Sequence, residues 1–178
     1  MNKLLSPFYP FLQKARFAKF IMLFNKAKKH PLEENKILMF TTARGKLGGN
    51  LAAIKKYIEE NEIDCKVNTF TSVDMPDEAT VAYEMATSRF ILVDDFEPLV
   101  YVLKLRENQH LVQVWHAMGA FKKFGYSRKS AEKNSLTHKN YTEAIVSSPE
   151  IAKIYAEAFS IDESRIKPVG VPRTDLLF

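Results

Sequence analysis

Residues 36–42 read KILMFTT, and this stretch decides the fold. Its apolar side chains run on continuously instead of alternating, the pattern of a strand covered on both faces, as in a parallel sheet. Just downstream, Gly45, Gly48 and Gly49 break the chain, and Asn50 is placed to cap a helix over 51–61. KVNTFT, 66–71, alternates and supplies a second strand. Pro76 opens a helix running to about Thr87, with Asp74 as its cap, and RFILV, 89–93, is a third buried strand ending in Asp94 and Asp95. A helix over 98–107, strands over 110–115 and 144–147, a helix over 149–159 and a short strand over 166–170 complete the series. Strands alternating with helices predict right-handed crossovers and a parallel sheet. The expectation is an α/β Rossmann-like domain over 33–178, preceded by a basic amphipathic helical arm over 1–32.

The 178 residues suffice for one compact domain of ordinary size. Hydrophobic residues at 46% with 26% charged residues fit a soluble globular chain, neither disordered nor fibrous. The one cysteine, Cys65, excludes an intramolecular disulfide framework and a zinc site built on several thiolates. At the start of an apolar strand it reads as a buried, inert thiol in a reducing compartment.

The net charge of +5 is localised. Lys3, Lys14, Arg16, Lys19, Lys26, Lys28 and Lys29 fall within residues 1–32, which hold no acidic residue, so the arm carries the whole excess. Its longest apolar run, 20–24, is far short of the roughly 20 residues that span a bilayer. Charges punctuate it and no small-residue cleavage site follows, which argues against a signal peptide. Helical spacing brings Phe17, Phe20, Ile21 and Phe24 onto one face, with Lys14, Arg16, Lys19 and Lys26 around its margins. Two readings fit: an interfacial helix on an anionic inner leaflet, or a helix packing on the protein's own core or on a partner domain. The body has no matching basic face, so nucleic acid is not expected as a partner.

In such sheets ligands bind beyond the carboxyl ends of the strands, which selects the loops 43–50, 94–97, 116–128 and 147–150. The richest segment is 113–129, QVWHAMGAFKKFGYSRK. His116, placed where a buried strand ends, suits a general base. Gly119 and Gly125 allow close backbone approach to a ligand, and Lys122, Lys123, Arg128 and Lys129 form a cluster suited to phosphates. A lone histidine after a strand is more often structural, and lysines alone are usually a solvated face; their coincidence here favours a site. Asp94 and Asp95 are better read as caps or loop ligands than as metal ligands, so no metal is expected. His30, His110 and His138 read as structural.

WHAMGAFKKFGYSRK, 115–129, resembles the WHG-x-P-x-K-K-x-G block of the CDP-glycerol glycerophosphotransferase family, which builds teichoic acids and related capsular polymers. GKLGGNLAAIKKYIEEN, 45–61, resembles the family's GK-x-x-x-x-N-P-x-A-I-x-x-Y-L segment. VGVPRTDLLF, 169–178, is similar to its G-x-PR-x-D block, carried here by Gly170, Pro172, Arg173 and Asp175. The three blocks stand in the family's order. Ala117 replaces a common glycine, and Met118, Gly119 and Ala120 replace a proline-containing centre, a form similar to members that handle ribitol phosphate or first primers.

The resemblance implies the N-terminal, acceptor-side half of a GT-B fold, with the active site in the cleft against a nucleotide-binding C-terminal domain that is expected to be missing from this chain. The implied reaction is attack by a terminal polyol hydroxyl of a lipid-linked polymer on the β-phosphate of CDP-glycerol or CDP-ribitol, with CMP leaving. His116 would take the hydroxyl proton, its ring oriented by an acceptor the sequence does not identify. Gly45, Lys46, Asn50, Gly119, Lys122, Lys123 and Arg128 would line the acceptor and phosphate site, and Arg173 and Asp175 the domain junction. Such transfer rests on positioning and charge neutralisation, so no cofactor beyond the CDP-polyol donor is expected. The implied location is peripheral, on the cytoplasmic face of the plasma membrane. The rivals are a non-catalytic polymer- or partner-binding module and another GT-B enzyme using a nucleotide sugar.

Overall fold

A computed structural model describes residues 3–117 and 119–177. Met118 of the replaced centre, and Phe178 at the end of the third block, lie outside the described residues. The strands are β1 (Glu33–Phe40), β2 (Lys66–Phe70), β3 (Ser88–Val93), β4 (His110–Gln113), β5 (Glu143–Ile145) and β6 (Ile166–Lys167). The helices are α1 (Tyr9–Arg16), α2 (Ala18–Ala27), α3 (Gly49–Glu60), α4 (Glu78–Thr87) and α5 (Pro149–Phe159). All strand pairs are parallel, in the order β2-β1-β3-β4-β5-β6.

The apolar run of β1 does what its composition requires. Leu38 and Phe40 enter one core with Ile91, Val93 and Leu111, while Met39 joins Leu92, Val114, Leu51 and Ile58 on the opposite face. Alternate residues of one strand thus feed two layers. Lys36 tolerates full burial at the start of the run because its ammonium meets Glu33 at 2.8 Å, Glu84 at 3.0 Å and the Thr87 hydroxyl at 2.7 Å. Phe40 pairs with both Phe70 and Val93, and Val93 pairs with Gln113. The carboxyl ends of the central strands are therefore level, and their loops emerge along one edge.

Several elements differ from expectation. The helix expected over 98–107 is only a single 3-10 turn, Val100–Val102. Val100, Tyr101, Val102 and Leu103 are all buried, so the segment has no polar face for a surface helix, and Asn140 takes the carbonyls of Val100 and Leu103 at 2.6 and 3.0 Å. Asp77, not Asp74, caps α4 by accepting from the Ala79 and Thr80 amides; Asp74 closes a turn onto Thr71 instead. β5 and β6 are shorter than their apolar runs suggested, and β5 begins one residue earlier.

The aromatic face of residues 17–24 is divided. Phe20, Phe24 and Ala27 of α2 lie in the protein's own core beside Val81, Ala82 and Met85 of α4, so Phe20 and Phe24 are not available to a lipid surface. α1 buries nothing, and Phe8, Phe11 and Leu12 are exposed. Residues 6–13 are nevertheless tied down: Ser6, in the turn before α1, donates to Glu132 at 2.6 Å and accepts from Asn134 at 2.9 Å, and the Leu136 amide donates to Gln13 of α1 at 2.8 Å. Among the described residues, no helix is long and apolar enough to cross a membrane.

Candidate active site

The strand-end edge is organised around the chain's exit from β4. Trp115 adopts φ 49°, a left-handed conformation costly for a bulky residue. Three contacts hold it there. Asn50, 2% exposed, donates both amide hydrogens, to the Val114 and Trp115 carbonyls at 2.7 and 2.9 Å. The Gln113 side chain accepts from the Trp115 amide at 2.8 Å, and the indole stacks on Phe124 at 5.3 Å.

The turn swings His116 towards the end of β3. Its Nδ1 lies 3.0 Å from the Asp94 carbonyl and 3.5 Å from an Asp95 carboxylate oxygen, and its ring stacks on Trp115 at 4.4 Å. A carbonyl oxygen can only accept, so Nδ1 carries the proton and the lone pair of the neutral ring sits on Nε2. With its side chain 36% exposed, His116 is reachable by a substrate.

Arg44, from the loop after β1, ion-pairs with Asp94 and reaches Asp95 at 3.7 Å. Burial raises the Asp94 carboxyl above its ordinary range, against the pull of Arg44. Glu97, fully buried, accepts from the Thr42 amide at 2.6 Å and hydroxyl at 2.7 Å. Burial, reinforced by Asp94 and Asp95, pushes it to about 7 despite those bonds. Among the described residues no group of three or more His, Cys, Asp or Glu side chains is arranged to hold a metal ion.

The residues singled out in the sequence fall into different environments. Lys46, Lys122 and Lys123 are exposed on strand-end loops, as is Gly45, whose carbonyl takes the Thr71 hydroxyl at 3.2 Å. Asn50 is neither a cap nor a surface ligand: α3 starts from Gly48, and the Asn50 amide is spent on backbone. Its Oδ1 also accepts the Arg173 amide at 3.2 Å, so the segment at Arg173 is anchored to the same clamp. Asp175 is exposed near Tyr57 of α3, and no ion pair between Arg173 and Asp175 is present among the described residues. The Gly119 carbonyl accepts from the Tyr155 hydroxyl at 3.3 Å. Gly125, at φ 50°, answers to packing and not to a ligand: a Cβ there would stand 2.0 Å from the Ala158 carbonyl oxygen. Arg128 is exposed at the rim of a cavity of about 400 Å³. Arg44, Glu97 and Gln113 were not foreseen, since nothing in sequence spacing reveals which loop side chains meet across strand ends.

The chain matches the family described as CDP-Glycerol:Poly(glycerophosphate) glycerophosphotransferase over residues 22–178. It is 37% identical to the teichoic acid poly(ribitol-phosphate) polymerase of Bacillus spizizenii strain W23, across 94% of this chain and 29% of that protein. Identity is also 37% to the teichoic acid ribitol-phosphate polymerase TarL of Staphylococcus aureus, across 89% of this chain and 31% of that one. The teichoic acid glycerol-phosphate primase of Bacillus subtilis is 32% identical over 52% of this chain and 26% of its own. The solved wall teichoic acid polymerase TagF superposes with a TM-score of 0.69 at 18% identity, covering 94% of this chain and 48% of that one, a likeness of fold. The chain thus spans between a quarter and a third of the length of these curated relatives and about half of the solved one.

Proposed function

Because the chain belongs to the CDP-glycerol:poly(glycerophosphate) glycerophosphotransferase family, we propose that it is the acceptor-side part of a GT-B enzyme that transfers a polyol phosphate from a CDP-polyol to a lipid-linked teichoic-acid chain. Ribitol phosphate is the favoured unit, since the relatives matched along most of the chain are ribitol-phosphate polymerases. His116 is the general base. The acceptor's terminal hydroxyl gives its proton to Nε2 as its oxygen bonds to the β-phosphorus. The bond from that phosphorus to the CMP oxygen breaks, and CMP departs. The imidazolium so formed is met by the Asp94 carbonyl and the Asp95 carboxylate. Lys122, Lys123 and Arg128 offset phosphate charge, and a second domain binds the nucleotide. No metal or organic cofactor enters this reading.

Attachment to the cytoplasmic leaflet belongs to the same reading. It is supported by Phe8 and Phe11, exposed on the same end of the chain as the acid-free run of lysines and arginines.

The observation that carries the proposal is the hydrogen bond from His116 Nδ1 to the Asp94 carbonyl, which leaves Nε2 as the base. In the natural polypeptide, His116→Ala is expected to lower turnover of labelled CDP-ribitol onto primer by about 10²-fold or more, the usual worth of a general base. Undiminished turnover would remove His116 from the mechanism. Faster transfer from CDP-glycerol than from CDP-ribitol would reverse the choice of polyol.

A further inference from the structure

Beside the His116 turn lies the cavity of about 400 Å³, walled by Tyr9 of α1, Phe96 and Tyr126, with Arg128 at its rim and His138 in its depth. His138 is buried, yet its Nδ1 is fully used. The Tyr101 and Tyr141 hydroxyls are each 3.1 Å from it and 2.9 Å from one another. The Glu97 amide donates to Tyr101 at 3.2 Å, and the Gln113 side chain donates to Tyr141 at 2.7 Å. Both tyrosine oxygens thus accept from outside the triangle, and their two protons must be placed within it. A proton on Nδ1 as well would strand one buried hydroxyl proton without an acceptor. So Nδ1 accepts, and Nε2–H is the group His138 has left to offer the cavity. Burial keeps this ring neutral, its pKa pushed down to about 4.

We propose that this cavity holds the phosphodiester-linked polyol unit that precedes the attacking one in the acceptor chain. This rests on the transfer reading above and adds where the polymer lies. Position supports it: Phe96 follows Asp95 directly, and the Trp115 ring contacts both His116, at 4.4 Å, and His138, at 6.2 Å. Charge supports it too. The cavity pairs one guanidinium, Arg128, with one carboxylate, Glu132, which is already bonded to Ser6 and to the Asn134 amide. With Glu132 engaged in this way, the single guanidinium on the lining suits the one negative charge of a phosphodiester and would leave a diphosphate under-neutralised, which separates acceptor from donor. The aromatic walls take the C–H surface of the polyol, while the Ser130 hydroxyl and His138 Nε2–H meet its hydroxyls.

The test is equilibrium binding of a short synthetic poly(ribitol phosphate) to the natural polypeptide without any CDP-polyol, followed by calorimetry and by the His138 imidazole NMR signals. The expected result is a shift of those signals on binding. Affinity should fall about tenfold or more in Arg128→Ala and in Ser130→Trp, which fills the cavity from an exposed position. Both variants should melt like the wild type. Wild-type affinity in both, no detectable binding of the oligomer, or equal competition by inorganic phosphate would each overturn the subsite. Oligomer binding at the cavity without transfer from either CDP-polyol would sink the reaction and spare the site. Transfer that survives both variants unchanged would do the reverse.

Discussion

One carboxamide, that of Asn50, joins three segments: the start of α3, the exit of β4 and the block at Arg173. Only an amide suits this position, because two partners are carbonyls that need donors and the third is an amide that needs an acceptor. Asn50→Asp keeps the shape but loses both donations and sets a charge against two carbonyl oxygens. It is expected to destabilise the fold by about 3 kcal/mol or more, as read by urea unfolding. Any folded fraction should also show displaced His116 imidazole resonances, because Trp115 loses the clamp on its left-handed turn. Sequence brought Asn50 forward but assigned it to the wrong task, since a buried clamp and a phosphate loop both favour asparagine among glycines. That His116 stands just past a buried strand was legible in the sequence. Its partner was not, because the acceptor is a backbone carbonyl and every residue has one.

At the scale of elements, α2 shows how far periodicity reaches. The spacing of Phe17, Phe20, Ile21 and Phe24 marks one apolar face, but such a face is satisfied equally by a membrane or by a core. The structure places it on α4, with Phe24 wholly buried, whereas Phe11 of α1 is 71% exposed. Phe24→Ala is therefore expected to cost about 3–5 kcal/mol in unfolding free energy. Phe11→Ala should change stability by no more than about 0.5 kcal/mol, and should weaken binding to anionic vesicles if α1 is the lipid-facing element. The buried strands were legible because unbroken apolar runs leave few alternatives. The segment 98–107 was not, because its burial comes from chain packing around Tyr101 and Tyr141 and leaves no helical stripe to read.

Across the whole molecule, two buried ionisable residues set opposite demands on pH: Glu97, whose backbone amide donates to the Tyr101 hydroxyl, and His138, whose Nδ1 meets the same hydroxyl. Glu97 rises from an ordinary 4.5 to about 7, so the fold favours its protonated form. Its contribution to stability is complete below pH 4.5 and is lost as pH rises through about 7. His138 falls from 6.5 to about 4, so the fold favours its neutral form; its contribution is complete above pH 6.5 and is lost as pH falls through about 4. Between pH 4.5 and 6.5 the native state holds one proton more on Glu97 and one fewer on His138 than the unfolded chain does, and the two slopes oppose. Removing either group should expose the other. Relative to wild type, the unfolding free energy of Glu97→Gln should climb by about 3 kcal/mol from pH 4.5 to 6.5. That of His138→Gln should fall by a similar amount over the same interval. Exposed carboxylates such as Asp77 and Asp162, held below their usual range by hydrogen bonds, act at lower pH and cancel in the comparison. Denaturant titrations at several pH values read the slopes directly, and parallel curves for the three proteins would show that neither group is held in its uncharged form by the fold.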